Sequence, residues 1–449
     1  MKLKSLLSAA LFFLVLALFS CQDDEAPSQN VLVNNWIRSN MDIVYFWNKE
    51  LAGVRANKNA APEDYFYQLL HPDDRFSWIT PNAQALRDQL AGHTLSMGYS
   101  PAFGKKQASG QYFIIVEYVY ENSPAARAGL KRGDIIAAIN DQDITPSNFN
   151  QLYKQTAYTV TLGVNTASKI ERTGTKYSLK AEVLDLNPIL HSSVIDYNGV
   201  KTGYLAYAEF ISGEDEEWLA ALEDAMFEMK QSGVSELILD LRYNPGGEVG
   251  VAAELASMIA PAAVSRNRET LIKIQYNDLL QKAIEEEEGP DSENLIYKFP
   301  ATEINLDLDR IFILTASGTA SASELLIIGL RPYMNVVQVG EPTVGKFYGS
   351  SVFEDKSTPK KHTYAMMPLI LKFMNAQGFT DFADGLTPDA AVVDDLLNAK
   401  PLGDIEDPVI AAALSIATGG DLARVAPAEA SYEKIADEWK LRRGTVMMK

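Results

Sequence analysis

Between Val31 and about Ala91 apolar and aromatic residues recur at helical spacing. Trp36, Ile37, Met41, Ile43, Val44, Phe46 and Trp47 mark one helix, and Tyr65, Tyr67, Leu69 and Leu70 mark a second after Pro62. The run Asp73-Asp74-Arg75-Phe76-Ser77-Trp78 reads as a polar and aromatic turn, and the aromatic stripe as packing surface. From Leu95 to Val164 the pattern becomes that of strands. Residues 112–119 are β-branched and aromatic, Ser123-Pro124 and Gly129 bracket a short helix, and Gly133-Asp134 turns into a strand over 135–139. Beyond about Val194 strands alternate with helices, the signature of an α/β unit. Residues 203–207, 237–241 and 310–314 read as strands, and 215–230, 249–259 and 320–330 as helices. Residues 285–291 read as an exposed insertion loop.

The expected organisation is therefore a multidomain α/β (α+β) chain: a helical segment over 31–92, a β-rich unit over 93–168, an α/β core over 169–402 and a C-terminal helical segment over 403–449. At 449 residues the chain is too long for one ordinary core, and 47% hydrophobic with 22% charged residues is a globular balance. The formal net charge of −19 changes the list of partners. Such a surface repels phosphate backbones and anionic lipid, so no nucleic acid is expected.

The single cysteine, Cys21, excludes an intrachain disulfide and a cysteine-based metal site. It follows Lys2, Lys4 and an apolar run over 6–19, a pattern that predicts a signal peptide over 1–20. The order Leu18-Phe19-Ser20-Cys21 resembles a bacterial lipoprotein box, which implies lipidation at Cys21, a tether over 21–30 and membrane attachment through the lipid only. The acidic stretch Gln22-Asp23-Asp24-Glu25 reads equally as an export tag or a solvated tether. The expected location is the cell envelope, as an outer-membrane lipoprotein on the periplasmic or the outer face.

Candidate chemistry centres on Thr319-Ala320-Ser321-Ala322-Ser323-Glu324, at a strand-to-helix junction. Ser321-x-x-Glu324 fits a capping box, and taken alone the serine reads as a helix cap. Upstream, Asp240-Leu241-Arg242-Tyr243-Asn244-Pro245-Gly246-Gly247 is a strand ending in a glycine turn. Downstream, Gly340-Glu341-Pro342-Thr343-Val344-Gly345-Lys346 follows a short apolar strand. Other chemistries lack their residues. Of four histidines none sits in a catalytic context, no Gly-x-Ser-x-Gly elbow occurs, and no two histidines stand at metal-ligand spacing, so neither metal nor cofactor is expected. Ser357-Thr358-Pro359-Lys360 lies in a proline-broken polar stretch and reads as surface.

The three segments, in this order and spacing, resemble the C-terminal processing peptidases, or tail-specific proteases. Gly385-Leu386-Thr387-Pro388-Asp389 is similar to that family's closing motif, and residues 123–136 resemble a PDZ domain. The resemblance implies a crotonase/ClpP-like α/β peptidase core acting on polypeptides with flexible C-termini. It further implies Ser321 as nucleophile and Lys346 as general base, with an oxyanion hole from the amides of Ala322 and of Gly246 or Gly247. A lysine acts as base only when neutral, which burial favours, and Val344 and Phe347 are the expected apolar walls. Met97-Gly98-Tyr99 is the expected carboxylate-binding loop of the PDZ unit. Where the family places a glutamine to orient the lysine, this chain has Ser350, a possible orienting group with shorter reach. That departure leaves a second expectation open, a catalytically weak or inactive peptide-binding surface lipoprotein of the same fold.

Overall fold

A computed structural model of the protein describes residues 28–420 and 432–436. The leader, Cys21 and most of the tether lie outside the described residues. No helix among the described residues is long and apolar enough to cross a membrane.

Helix α1 (Gln29–Val44) buries Val33, Ile37 and Met41, four residues apart on one face, against α2 (Pro62–Leu69), whose Pro62 opens the first turn. Helix α3 (Ala83–Leu90) is capped by the Asn82 side chain. The N-terminal unit is not purely helical, nor self-contained. Trp78–Thr80 pairs antiparallel with Ala365–Met367 of the core, and Phe46 N donates to Leu369 O at 2.9 Å. Its apolar and aromatic stripe is core only in part: Ile37, Met41, Tyr65 and Leu69 are buried and Trp36 and Trp47 pack against them, whereas Ile43 and Tyr67 are exposed.

The β-rich unit is an antiparallel sheet of β1 (Tyr99–Lys105), β2 (Tyr112–Val119), β3 (Ile135–Ile139), β4 (Ala157–Asn165) and β5 (Ile170–Lys180) in sequential order. Two short helices, α4 (Pro124–Ala128) and α5 (Phe149–Tyr153), cover it, and Phe103, Ile114, Val116, Ile136 and Phe149 fill its centre. The expected boundary at 168 moves to 185. Strand β5 pairs along the length of β4, and Glu182–Asp185 pairs back with His93–Ser96 to close the unit. The sequence pattern missed this because β5 is largely exposed and carries few apolar residues.

The core is a six-stranded sheet in the order β6 (Ile189–Tyr197), β7 (Val200–Tyr207), β8 (Glu236–Asp240), β9 (Arg310–Thr315), β10 (Asn335–Gly340) and β11 (Ala390–Ala391). All neighbours are parallel except the first pair. Alternation along the strands serves two layers. Leu205, Leu237, Leu239, Ile311 and Ile313 face α6 (Glu217–Gln231), α7 (Val249–Ile259) and α9 (Ala322–Leu330). Tyr204, Ile238, Phe312 and Leu314 face α10 (Pro408–Ala417). Residues 285–288, expected in a loop, instead complete α8 (Asp278–Glu288), whose cap Asn277 also donates to the carbonyls of Ile43 and Tyr45. The segment expected to be helical over 403–449 carries α10 and also a strand, β12 (Glu433–Ala436), which pairs antiparallel with β1.

Candidate active site

The carboxyl ends of the parallel strands of an α/β sheet are where loops converge, and here three of them do. The turn after β8, the junction between β9 and α9, and the loop after β10 meet around one cavity of about 420 Å³. Ser321, Lys346, Ala322, Gly246, Gly247 and Ser350 all line it. Residues up to 104 positions apart in sequence, expected to act together, thus face one space.

Ser321 precedes α9 with φ +57° and ψ −114°. An ordinary N-cap residue occupies the extended region, and a non-glycine residue held so far from it costs about 1–3 kcal/mol. The surroundings impose this conformation. Ala320 N donates to Asn244 O at 3.1 Å, Ser323 Oγ to the same carbonyl at 3.1 Å, and Thr319 Oγ1 to Leu241 O at 2.7 Å. The junction is clamped onto the glycine turn from both sides of the serine.

Glu324 does more than close a capping box. Wholly buried, its Oε2 accepts from Ser321 N and from Lys346 N, both at 2.8 Å. Its Oε1 accepts from Gly345 N at 2.7 Å and Thr343 Oγ1 at 2.5 Å. One carboxylate therefore ties the serine junction to the lysine loop. Burial pushes the Glu324 carboxyl above its usual range, against the opposing pull of these four bonds. Sequence spacing showed only the helix-cap half of this role, because the other three donors come from a loop some twenty residues away.

Lys346 is 7% exposed. Val344 and Phe347 were its expected walls. The Phe76 ring also lies near its amine, with Nζ 5.7 Å from the ring centroid, and Phe347 packs on Phe382 and Tyr348. Phe76 belongs to the stretch read as a simple turn. Its neighbour Arg75 donates to Val344 O and Ala383 O, bracing the lysine loop from outside. Gly345, at φ +83°, admits no side chain: a Cβ there would lie 2.3 Å from Ala383 O. The closing motif joins the same loop, since Leu386 N donates to Thr343 Oγ1 at 2.7 Å and Asp389 accepts from Gln338 N at 2.8 Å.

In the glycine turn, Gly246 N donates to Asn244 Oδ1 at 2.8 Å. Its amide is thus engaged within the turn, and the residue has a steric role as well. A Cβ on Gly246 would stand 2.7 Å from Ser321 Cβ and 2.8 Å from Ala322 N. Beneath the turn, the guanidinium of Arg242 is wholly buried and bound by Asp240, Asp394 and Asp407 at 2.7, 2.8 and 3.0 Å. Arg132, from the β-rich unit, enters the same network, donating to Glu117 O, Lys400 O and Tyr243. Burial pushes Asp394 upward, but Arg242 and Arg132 outweigh it and hold its carboxyl down at about 2. A charge cluster thus docks one domain onto the turn of the other. No periodicity in the sequence announces it.

Ser350 ends the strand Tyr348–Ser350 opposite Leu369 and faces the cavity. Met97, Gly98 and Tyr99 lie away from it, at the entry to β1. Met97 and Tyr99 are nearly buried, with Tyr99 Oη 2.8 Å from Tyr158 Oη. Lys360 of the Ser357-x-x-Lys360 pattern is exposed and pairs with Glu354. Among the described residues no group of three or more His, Cys, Asp or Glu could hold a metal ion.

Fold and site together define a multidomain α/β protein with a strained serine and a buried lysine facing one cavity. The chain matches the profile of peptidase family S41 over residues 201–392, of the S41 N-terminal domain over 33–78 and of a PDZ domain over 115–159. It belongs to peptidase family S41. It is 26% identical over 282 residues to a CtpA-like serine protease of Staphylococcus aureus, covering 62% of this chain and 50% of that one. The chain thus spans about half the length of the curated relatives it matches. A crystal structure assigned to an S41 protease of Bacteroides fragilis superposes with a TM-score of 0.70 at 26% identity, covering 86% of this chain and 97% of that one. The photosystem II D1 C-terminal processing protease shares the fold, with a TM-score of 0.52 at 20% identity over 85% and 96% of the two chains.

Proposed function

We propose that the protein is a serine-type endopeptidase that cleaves extended or C-terminal tails of polypeptides, with Ser321 and Lys346 as its catalytic pair. The observation that carries this reading is the single cavity lined by both residues and by the glycine turn. In the proposed reaction the neutral Lys346 amine takes the Ser321 hydroxyl proton as Oγ attacks the scissile carbonyl carbon. The oxyanion is met by the amides of Ala322, at the positive end of α9, and of Gly247. The ammonium then returns its proton to the leaving amine, the C–N bond breaks, and an acyl-serine remains. Water hydrolyses that ester with the amine again as base. Glu324 holds the backbone of Lys346 in place, which supports an active base despite Ser350 at the position of the family's glutamine. The PDZ unit would recruit or sense the substrate tail along β1, at the edge of its sheet.

The test is labelling by a fluorophosphonate probe together with hydrolysis of a casein substrate. Wild type should label and cleave, while Ser321→Ala and Lys346→Met should do neither, with melting temperatures close to the parent. Wild-type cleavage by Ser321→Ala would refute the assignment. The leader reading adds envelope attachment through a lipid on Cys21 to this proposal.

A further inference from the structure

The edge of a sheet presents unpaired N–H and C=O groups that another extended segment can join. In the PDZ unit that edge is β1, which leaves the Met97-Gly98-Tyr99 loop, and the chain's own strand β12 occupies it. Glu433 stands opposite Lys105, Lys434 opposite Gly104 and Ala436 opposite Phe103, antiparallel, with an irregularity between Lys434 and Ala436. The strand therefore runs toward the loop, the direction a peptide added to this edge takes to bring its carboxyl end there.

Alternation sorts its side chains onto two faces. Ile435 packs into the cluster that holds Met97 and Phe103 of the sheet side and Phe149 of α5. Tyr432, 4% exposed, turns the other way and lies 5.6 Å from the Phe113 ring. Its ring crosses Gly104 so closely that a Cβ there would be 2.9 Å away. On that same face Lys434 Nζ is 2.9 Å from Glu117 Oε1, a carboxylate whose side chain is 2% exposed, and 6.0 Å from the centre of the Tyr243 ring. Tyr432, Lys434 and Ile435 thus each meet a fitted partner: an aromatic ring over Gly104, a cation on a buried carboxylate and an aliphatic side chain in an apolar groove.

We infer that residues 432–436 are a ligand held in cis, and that the groove selects extended peptides carrying a basic residue followed by an aliphatic one. Glu117 reads the basic residue, while Phe103 and Phe149 read the aliphatic one. A substrate tail enters by displacing β12. The inference rests on the peptide-binding reading of the PDZ unit. It adds the class of peptide bound and the competitor that guards the groove. Glu117 and Tyr243 also line the catalytic cavity, so the strand touches the wall of the site whose substrates it competes with.

The experiment uses the full chain carrying Ser321→Ala, so that no probe is cleaved, and follows binding of a fluorescein-labelled Tyr-Glu-Lys-Ile-Ala peptide by anisotropy. Adding Ile435→Asp, or separately Lys434→Glu, should release the strand and tighten probe binding at least tenfold while circular dichroism and melting show a folded protein. The released protein should bind a Tyr-Glu-Glu-Ile-Ala probe at least tenfold more weakly, and Glu117→Gln should narrow that difference. Equal binding before and after release overturns the cis ligand. Indifference to Lys against Glu overturns the role of Glu117. No binding in any variant overturns the peptide groove itself. Fluorophosphonate labelling of the chain that retains Ser321 is separate from all three, so failure of the peptidase reading is distinguished from failure of this one.

Discussion

Glu324→Gln isolates the residue that joins the two halves of the candidate site. The carboxylate accepts four hydrogen bonds, two on each oxygen. Glutamine offers one oxygen and places an NH2 group against donors. If the amide nitrogen takes the place of Oε2, Ser321 N and Lys346 N both lose their acceptor. If it is flipped, Gly345 N loses its own, while the Thr343 hydroxyl can rotate to accept. The cheaper arrangement breaks one charge-assisted bond and weakens others, at about 1.5–3 kcal/mol per lost bond. Part is offset because a buried charge has been removed, so a net loss of about 2–3 kcal/mol is expected. The raised Glu324 titration gives the pH dependence. A carboxyl raised by folding contributes stability that is full below its unfolded value, about 4.3, and is lost as pH rises through the folded value. The gap between wild type and variant should therefore be widest at acid pH and narrow as pH rises to neutrality. Activity should fall more steeply than stability, since a shift of about 1 Å in a catalytic group costs roughly a hundredfold. Urea unfolding across pH 4–8 and the second-order rate of fluorophosphonate labelling measure the two. A variant within about 0.5 kcal/mol of wild type that labels at the wild-type rate would sink the argument.

Two other perturbations follow from the same geometry, and a third from the leader sequence. Gly246→Ala places a Cβ 2.7 Å from Ser321 Cβ at a backbone φ of +103°; it should cut labelling at least tenfold and cost about 1–3 kcal/mol in urea unfolding, and wild-type labelling would refute the close approach. Arg242→Leu strips the cation from three buried carboxylates, with an expected loss of about 3–5 kcal/mol by chemical denaturation. Because Asp394 is held down at about 2 by Arg242 and Arg132, its stabilisation is present above the unfolded value and is lost as pH falls through the folded one; the acid unfolding midpoint of Arg242→Leu should accordingly move up. Cys21→Ser should abolish incorporation of an alkyne-tagged fatty acid in cells, and unchanged incorporation would contradict the lipid site.

Sequence alone carried the local features. The helix of residues 29–44 and the strands 310–315 and 335–340 were legible because hydrogen-bond geometry imposes a period on which side chains are buried. The serine junction and the glycine turn were legible as the ends of local elements, and it was the family resemblance that joined them with Lys346 into one candidate site. Tertiary structure decided the rest. Phe76 reaches Lys346 from 270 positions away, Arg132 enters the Arg242 cluster from another domain, and strand 433–436 lies on an edge more than 300 residues upstream. Glu324 shows the division within one residue. Its bond to Ser321 N follows from helix spacing, whereas its bonds to Thr343, Gly345 and Lys346 exist only because β9 and β10 lie side by side and deliver both loops to the same end of the sheet. Local periodicity specifies which face of an element is buried; which distant groups meet there depends on how the buried faces pack together.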